Sequence, residues 1–153
     1  MYDVSASGLV LTLTASVTFP QGFQITELAD DTDPFDIPDI AVATAAMGLN
    51  GDLVAFSSPA PITPTLAVIP GSPADVNLGI LYDANRAAKG RKTARDVLTL
   101  VGNYPDGSTI TLTGGIITSG NPGKSVASAG RIKTVAYVFA FEDISRTRAS
   151  ASA

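Results

Sequence analysis

The sequence has no cysteine, no histidine and no tryptophan. Without cysteine there is no disulfide staple, no thiolate zinc site and no thiol nucleophile. Without histidine there is no Ser–His or Cys–His pair and no imidazole ligand for a transition metal. Charge is sparse, at 16% of residues, against about 25% in a typical domain. No base occurs before Arg86. Long hydrophobic runs are missing too. Val4–Thr26 is uncharged, but serine and threonine recur through it. Leu53–Ala74 is uncharged, but Pro59, Pro61, Pro64, Pro70 and Pro73 interrupt it. Neither suits a membrane-spanning helix. No basic segment opens the chain, which argues against a signal peptide.

What remains is 153 residues of 15.6 kDa, the size of a single domain. We read residues 1–144 as that domain and 145–153, rich in small residues, as a flexible tail. The net charge of −4 conceals a sorting: the first 85 residues hold ten acids and no base, and the remainder holds ten bases and four acids. Mean hydropathy is positive, +0.27. An apolar, weakly charged chain with its charge sorted in this way expects partners over much of its surface.

Period-two alternation is the clearest local signal. Leu9, Leu11, Leu13, Ala15, Val17 and Phe19 alternate with Val10, Thr12, Thr14, Ser16 and Thr18. That pattern predicts a strand with one buried face. Pro20-Gln21-Gly22 is read as its turn, making 8–28 a hairpin. Ala29–Asp39 crowds five aspartates around Pro34 and Pro38 and reads as an exposed loop. Ile40–Ala46 and Leu53–Ser57 flank the turn residues Gly48-Leu49-Asn50-Gly51, and Thr65–Ile69 is a further strand. Ser72 caps a helix over about 73–89, with Pro73 first, Asp75 in the first turn and Lys89-Gly90 at its end. Its expected buried stripe is Val76, Ile80, Ala84 and Ala87, with Leu81 beside it. Val97–Val101, the turn Tyr104-Pro105-Asp106-Gly107 and a Thr/Ile alternation from Thr109 follow. Gly120–Ser128 reads as a flexible loop. In Arg131–Phe141, the residues Val135, Tyr137, Phe139 and Phe141 share one face. The expected fold is mainly β: a sandwich or barrel of about seven or eight antiparallel strands with one flanking helix.

Chemical motifs are few. Gly123-Lys124-Ser125 lacks the P-loop's first glycine, since position 118 is threonine, and β sequence follows it. The same stretch fails as a nucleophile elbow. The acids cluster in one loop instead of facing each other across a cleft, as a glycosidase's carboxylates do about 5–10 Å apart. The expectation is a protein that is not an enzyme, with no catalytic, cofactor-binding or metal residues. The aspartate loop is either a solvated loop or a cation site lacking EF-hand spacing, or it meets a basic neighbour. Arg86, Lys89, Arg91, Lys92 and Arg95 form a basic cluster without interleaved aromatics in an acidic chain, which disfavours nucleic-acid recognition. The favoured pairing joins Asp30, Asp31, Asp33, Asp36 and Asp39 of one copy to Arg86, Lys89, Arg91, Lys92 and Arg95 of another. Hairpin 8–28 and the loop from Gly120 to Arg131 are further assembly candidates.

The order of these features is familiar. A Thr/Val hairpin leads to Asp30-Asp31-Thr32-Asp33-Pro34-Phe35, a Gly-Leu-Asn-Gly-Asp turn, a Pro-Gly-Ser-Pro-Ala-Asp helix start and a Tyr-Pro-Asp-Gly hairpin. It ends in Gly130-Arg131-Ile132-Lys133-Thr134-Val135-Ala136-Tyr137-Val138-Phe139-Ala140-Phe141-Glu142. Over most of residues 5–143 this layout resembles small structural proteins of tailed bacteriophages, in particular the tail tube proteins. The resemblance implies hexameric rings stacked into a tube that conducts DNA during ejection. It also implies a place in the virion tail after assembly in the host cytoplasm. The implied partners are copies of the chain, other tail proteins and genomic DNA passing without sequence-specific binding, with no membrane and no cofactor. The alternatives are a head decoration, tail terminator or joining protein, or a monomeric β-sandwich binding module.

Overall fold

A computed structural model of the chain describes residues 8–28, 33–90, 92–123, 125–126, 128 and 130–147. Among them are ten strands and one helix: β1 (Val10–Ala15), β2 (Phe19–Ile25), β3 (Phe35–Asp36), β4 (Thr44–Met47), β5 (Leu53–Phe56), β6 (Thr65–Val68), α1 (Pro73–Asn85), β7 (Leu98–Asn103), β8 (Thr109–Ser119), β9 (Val135–Ala140) and β10 (Asp143–Thr147). The fold is mainly β, as expected, with more strands than the seven or eight read from sequence. Eight form one antiparallel sheet along the path β2-β1-β7-β8-β9-β6-β3, with β10 beside β8. One end of the path closes onto β6, the strand next to the other end. Leu28, just past β2, bridges Val68 of β6, and the Ile69 N–H donates to the Glu27 carbonyl at 3.0 Å. The sheet therefore curls towards a barrel, which leaves little open edge. Among the described residues, strands β4 and β5 pair only with each other.

Alternation fills the interior. Leu11, Leu13 and Ala15 of β1 point inward with Leu98, Leu100, Leu112, Leu66 and Val68. The face predicted for the last long strand holds, since Val135, Tyr137, Phe139 and Phe141 are all buried. Each large apolar side chain so buried contributes about 1.5–3 kcal/mol. Strand β8 turns the corner of the barrel. Its first half pairs with β7 and β10 and its last residues pair with β9. Between them lie Gly114, at φ +64°, and Gly115, where a Cβ would fall 2.3 Å from the ring of Phe141. Glycine here lets the strand bend and the ring pack against bare backbone.

Six local expectations are corrected. The first hairpin turns at Ser16-Val17-Thr18, so Pro20 lies inside β2, where an edge strand tolerates a missing donor. Gly22, at φ +77°, forms a bulge there instead of the turn. The helix stops at Asn85 because Arg86 is extended (φ −80°, ψ 124°), and its last turn holds no base. Its buried residues are Ala74, Leu78 and Leu81, while Val76 and Ile80 remain 55% and 48% exposed. The helix is apolar on both sides, and the side carrying Leu78 and Leu81 packs into the core. The proposed tail begins too early, because Asp143–Thr147 continues β9 past a kink and pairs with β8. Residues 148–153 lie outside the described residues. The loop after β8 is folded back, with Val126 bridging Ile132 and the Lys133 N–H donating to the Ser125 carbonyl at 2.7 Å. The strand expected over Ile40–Ala46 begins only at Thr44.

Candidate functional site

The basic cluster occupies one loop, and that loop is pinned at its base. The Ala94 N–H donates to the Ala84 carbonyl at 2.9 Å, which returns the chain to the end of α1. Beside this bond, the Asn85 side-chain amide donates to Asp96 Oδ2 at 2.8 Å, and the Asp96 N–H donates to Asn85 Oδ1 at 3.0 Å. Arg86, Lys89, Lys92 and Arg95 are exposed around the loop; Arg91 lies outside the described residues. Of the acidic set, Asp36 within β3 and Asp33 and Asp39 to either side of it are exposed at the edge of β6, while Asp30 and Asp31 lie outside the described residues. Acids and bases are thus carried by different elements of the barrel. Among the described residues, no group of three His, Cys, Asp or Glu side chains is arranged to hold a metal ion.

Asp96, only 2% exposed, is the buried charge of the molecule among the described residues. It accepts from the Val17 N–H at 2.7 Å, the Thr18 N–H at 2.9 Å and the Thr18 hydroxyl at 2.5 Å, besides Asn85. Burial pushes its carboxyl pKa up, but the bonds from Thr18, Asn85 and Val17 outweigh that and hold it below the usual range. Asp96 therefore ties three pieces together: the β1–β2 turn, the end of α1 and the start of β7. Arg95, immediately before it, takes a left-handed φ of 52°. That conformation is unfavourable by about 1–2 kcal/mol for a side chain with a Cβ, and it persists where the surroundings fix it.

A groove of about 250 Å³ runs between α1 and the turn Asn121-Pro122-Gly123. Its floor is Tyr137, whose hydroxyl donates to Asp75 Oδ1 at 3.0 Å. The other Asp75 oxygen accepts from the Gly71 N–H at 2.9 Å, so this carboxylate also closes the helix N-terminus. Burial, then the charge and hydrogen bond of Asp75, then the charge of Asp83, push the Tyr137 hydroxyl pKa well up. Val76 and Ile80 form the apolar rim.

The β4–β5 hairpin is the third surface. Register pairs Met47 with Leu53 and Ala45 with Ala55 on one face, and Ala46 with Val54 and Thr44 with Phe56 on the other. Every residue of both strands is exposed, including Phe56 at 59%. The Gly48 N–H donates to the Asp52 carbonyl at 2.7 Å, and Gly51 sits at φ +87°. The turn chemistry read from the sequence is therefore correct. An isolated two-stranded hairpin is marginally stable in water, and one apolar on both faces calls for cover on both.

Sequence reading missed Asp96, the Asp75–Tyr137 pair and this hairpin as functional elements. Two signals were present. Asp96 is the lone acid directly after the basic cluster, and Ile40–Ser58 carries a single charge, Asp52, without polar alternation.

A family profile described as "Tail fiber protein gp32" matches residues 2–145. No curated protein matches the sequence. Among solved structures, the chain is similar to one from the anti-feeding prophage cap, the tube-terminating cap, at 14% identity and TM-score 0.61, covering 97% of this chain and 93% of that one. It is similar to a chain of the extended-state sheath–tube complex of the PVC extracellular contractile injection system, at 12% identity and TM-score 0.59, covering 95% and 92%. A chain of the PVC sheath/tube terminator matches at 13% identity and TM-score 0.54, covering 97% and 99%. At these identities the likeness establishes a shared fold, and the family match establishes kinship: the chain belongs to the Tail fiber protein gp32 family and is a structural protein of a phage tail.

Proposed function

We propose that the chain is a tube-forming subunit: copies close into hexameric rings, the rings stack, and the stack conducts DNA during ejection. The observation that carries this reading is the β4–β5 hairpin, apolar on both faces and, among the described residues, paired only with itself. One neighbour covers one face; a hairpin exposed on two faces suits a position between neighbours. Unlike surfaces carrying opposite charge suit head-to-tail association, which closes into rings or propagates as a stack. The fold shared with chains from a tube cap and a sheath–tube complex supports the reading. On this view the chain is not an enzyme. Its partners are itself and other tail proteins, and part of its acidic surplus lines the lumen, where like charge keeps DNA phosphates from adhering. Assembly takes place in the host cytoplasm.

The test is negative-stain microscopy with solution mass. The wild-type protein is expected to form rings or tubes. Leu53→Ser with Phe56→Ser, one change on each hairpin face, should leave a monomer with an unchanged melting temperature. A wild type that stays a 15.6 kDa chain at high concentration, or a variant that assembles normally, sinks the reading. A second reading, a ring that terminates a tube, is favoured by the likeness to the cap chain. It predicts single rings that never stack.

A further inference from the structure

We propose that the groove along the outer face of α1 receives a basic side chain, and that its occupant is the pinned basic loop of a second copy of this chain. This inference deepens the tube reading and rests on its self-association.

Gly79 supplies the first argument. Glycine weakens a helix interior relative to any ordinary residue, so one at the middle of α1 calls for a reason. Internal packing provides none. A Cβ built at Gly79 meets nothing nearer than the Tyr137 hydroxyl at 3.8 Å, an ordinary contact, and the backbone there is not left-handed. What the missing side chain does is keep the groove floor open between Val76 and Ile80. The beneficiary is something that enters from outside.

The walls define what enters. Asp75 and Asp83 both line the groove, and Asp75 Oδ1 accepts from the Tyr137 hydroxyl on its floor at 3.0 Å. No lysine or arginine is among the described lining residues. Half-exposed Val76 and Ile80 offer an apolar rim, which suits the aliphatic stem of a lysine or arginine whose charged head reaches the acids.

Charge sorting identifies the occupant. All ten bases of the chain lie at Arg86 or later. Arg86, Lys89 and Lys92 stand on a loop held at its base by the Ala94–Ala84 and Asn85–Asp96 bonds. A loop already held in place loses less entropy on docking than a free one. Loop and groove are different surfaces, so their contact is heterologous and repeats from copy to copy.

The test uses the full chain. Gly79→Gln places a side chain in the groove and improves helix propensity. We expect its melting temperature to equal or exceed the wild type's while association weakens roughly tenfold. Arg86→Glu with Lys89→Glu and Lys92→Glu should weaken association similarly, and adding Asp83→Lys to that triple variant should restore it. Sedimentation velocity reads all four proteins. A wild type that never associates defeats the tube reading itself. A wild type and a Gly79→Gln variant that associate equally overturn the groove and leave the tube reading intact. A blocked groove with no rescue by Asp83→Lys overturns the loop as occupant, in favour of another basic segment of the second copy, such as the one holding Arg131 and Lys133.

Discussion

Asp96 follows Arg95 directly, yet its carboxylate turns away from that base and into the protein. It accepts from two backbone N–H groups, a hydroxyl and an amide, and is left with no open side. Bonds to a charged acceptor are worth more than neutral ones, and removing the acceptor leaves buried donors unpaired. Asp96→Ala is therefore expected to lower stability by about 3 kcal/mol, read by urea denaturation. The pH dependence follows from the depressed pKa. In the unfolded chain the carboxyl titrates near the ordinary value, about 3.9. Its contribution is complete above that value and is lost as pH falls through the lower folded pKa. Wild-type stability should drop below about pH 4. Asp96→Ala should show a shallower drop, and equal acid slopes for the two proteins would refute this role.

At the scale of elements, β8 owes its corner to two glycines that the alternation of its threonines conceals. A Cβ at Gly115 collides with the buried Phe141 ring, which has no solvent to move into. Gly115→Ala is expected to cost about 2–3 kcal/mol through overpacking. A companion Phe141→Leu change should recover part of that loss in thermal melts; additive losses would argue against the contact. The same contrast between local and distant causes explains what the sequence disclosed. The start of α1 was legible because Ser72, Pro73 and Asp75 lie within one turn, and the Asp75 N–H does donate to the Ser72 hydroxyl. Its end was not, because Asn85 is drawn to Asp96 across the basic loop. The β1 pattern was legible through Ala15, whereas its turn depends on an acceptor 78 residues away. Strand β10 was illegible because Ser145-Arg146-Thr147 has no alternation of its own and is extended by the open edge of β8. The candidate assembly residues divide in the same way. The charge clusters showed in the order of residues, whereas the groove required Asp75, Tyr137 and Asn121 to be brought together.

At the scale of the whole molecule, two kinds of surface await partners, and they respond to salt in opposite directions. The exposed bases of the 86–95 loop and the exposed acids around β3 and α1 attract through solvent, where screening shortens their reach from about 10 Å at 0.1 M salt to about 3 Å at 1 M. The β4–β5 hairpin carries one charge between Ile40 and Ser58, and apolar burial is strengthened by sulfate. A barrel of this size with net charge −4 repels its copies only weakly, so specific contacts decide whether they join. Sodium chloride raised from about 0.1 M to about 1 M should shrink the assembled species seen by light scattering. Ammonium sulfate at equal ionic strength should preserve them better, since it screens the charges equally while reinforcing the hairpin contact. An assembly indifferent to sodium chloride removes charge from the mechanism. One that dissociates equally in both salts removes the hairpin. If the wild type follows the expected pattern, Leu53→Ser with Phe56→Ser should lose the protection by sulfate. The Arg86, Lys89 and Lys92 reversal should lose the sensitivity to chloride, because each variant deletes one of the two contributions and leaves the other in place.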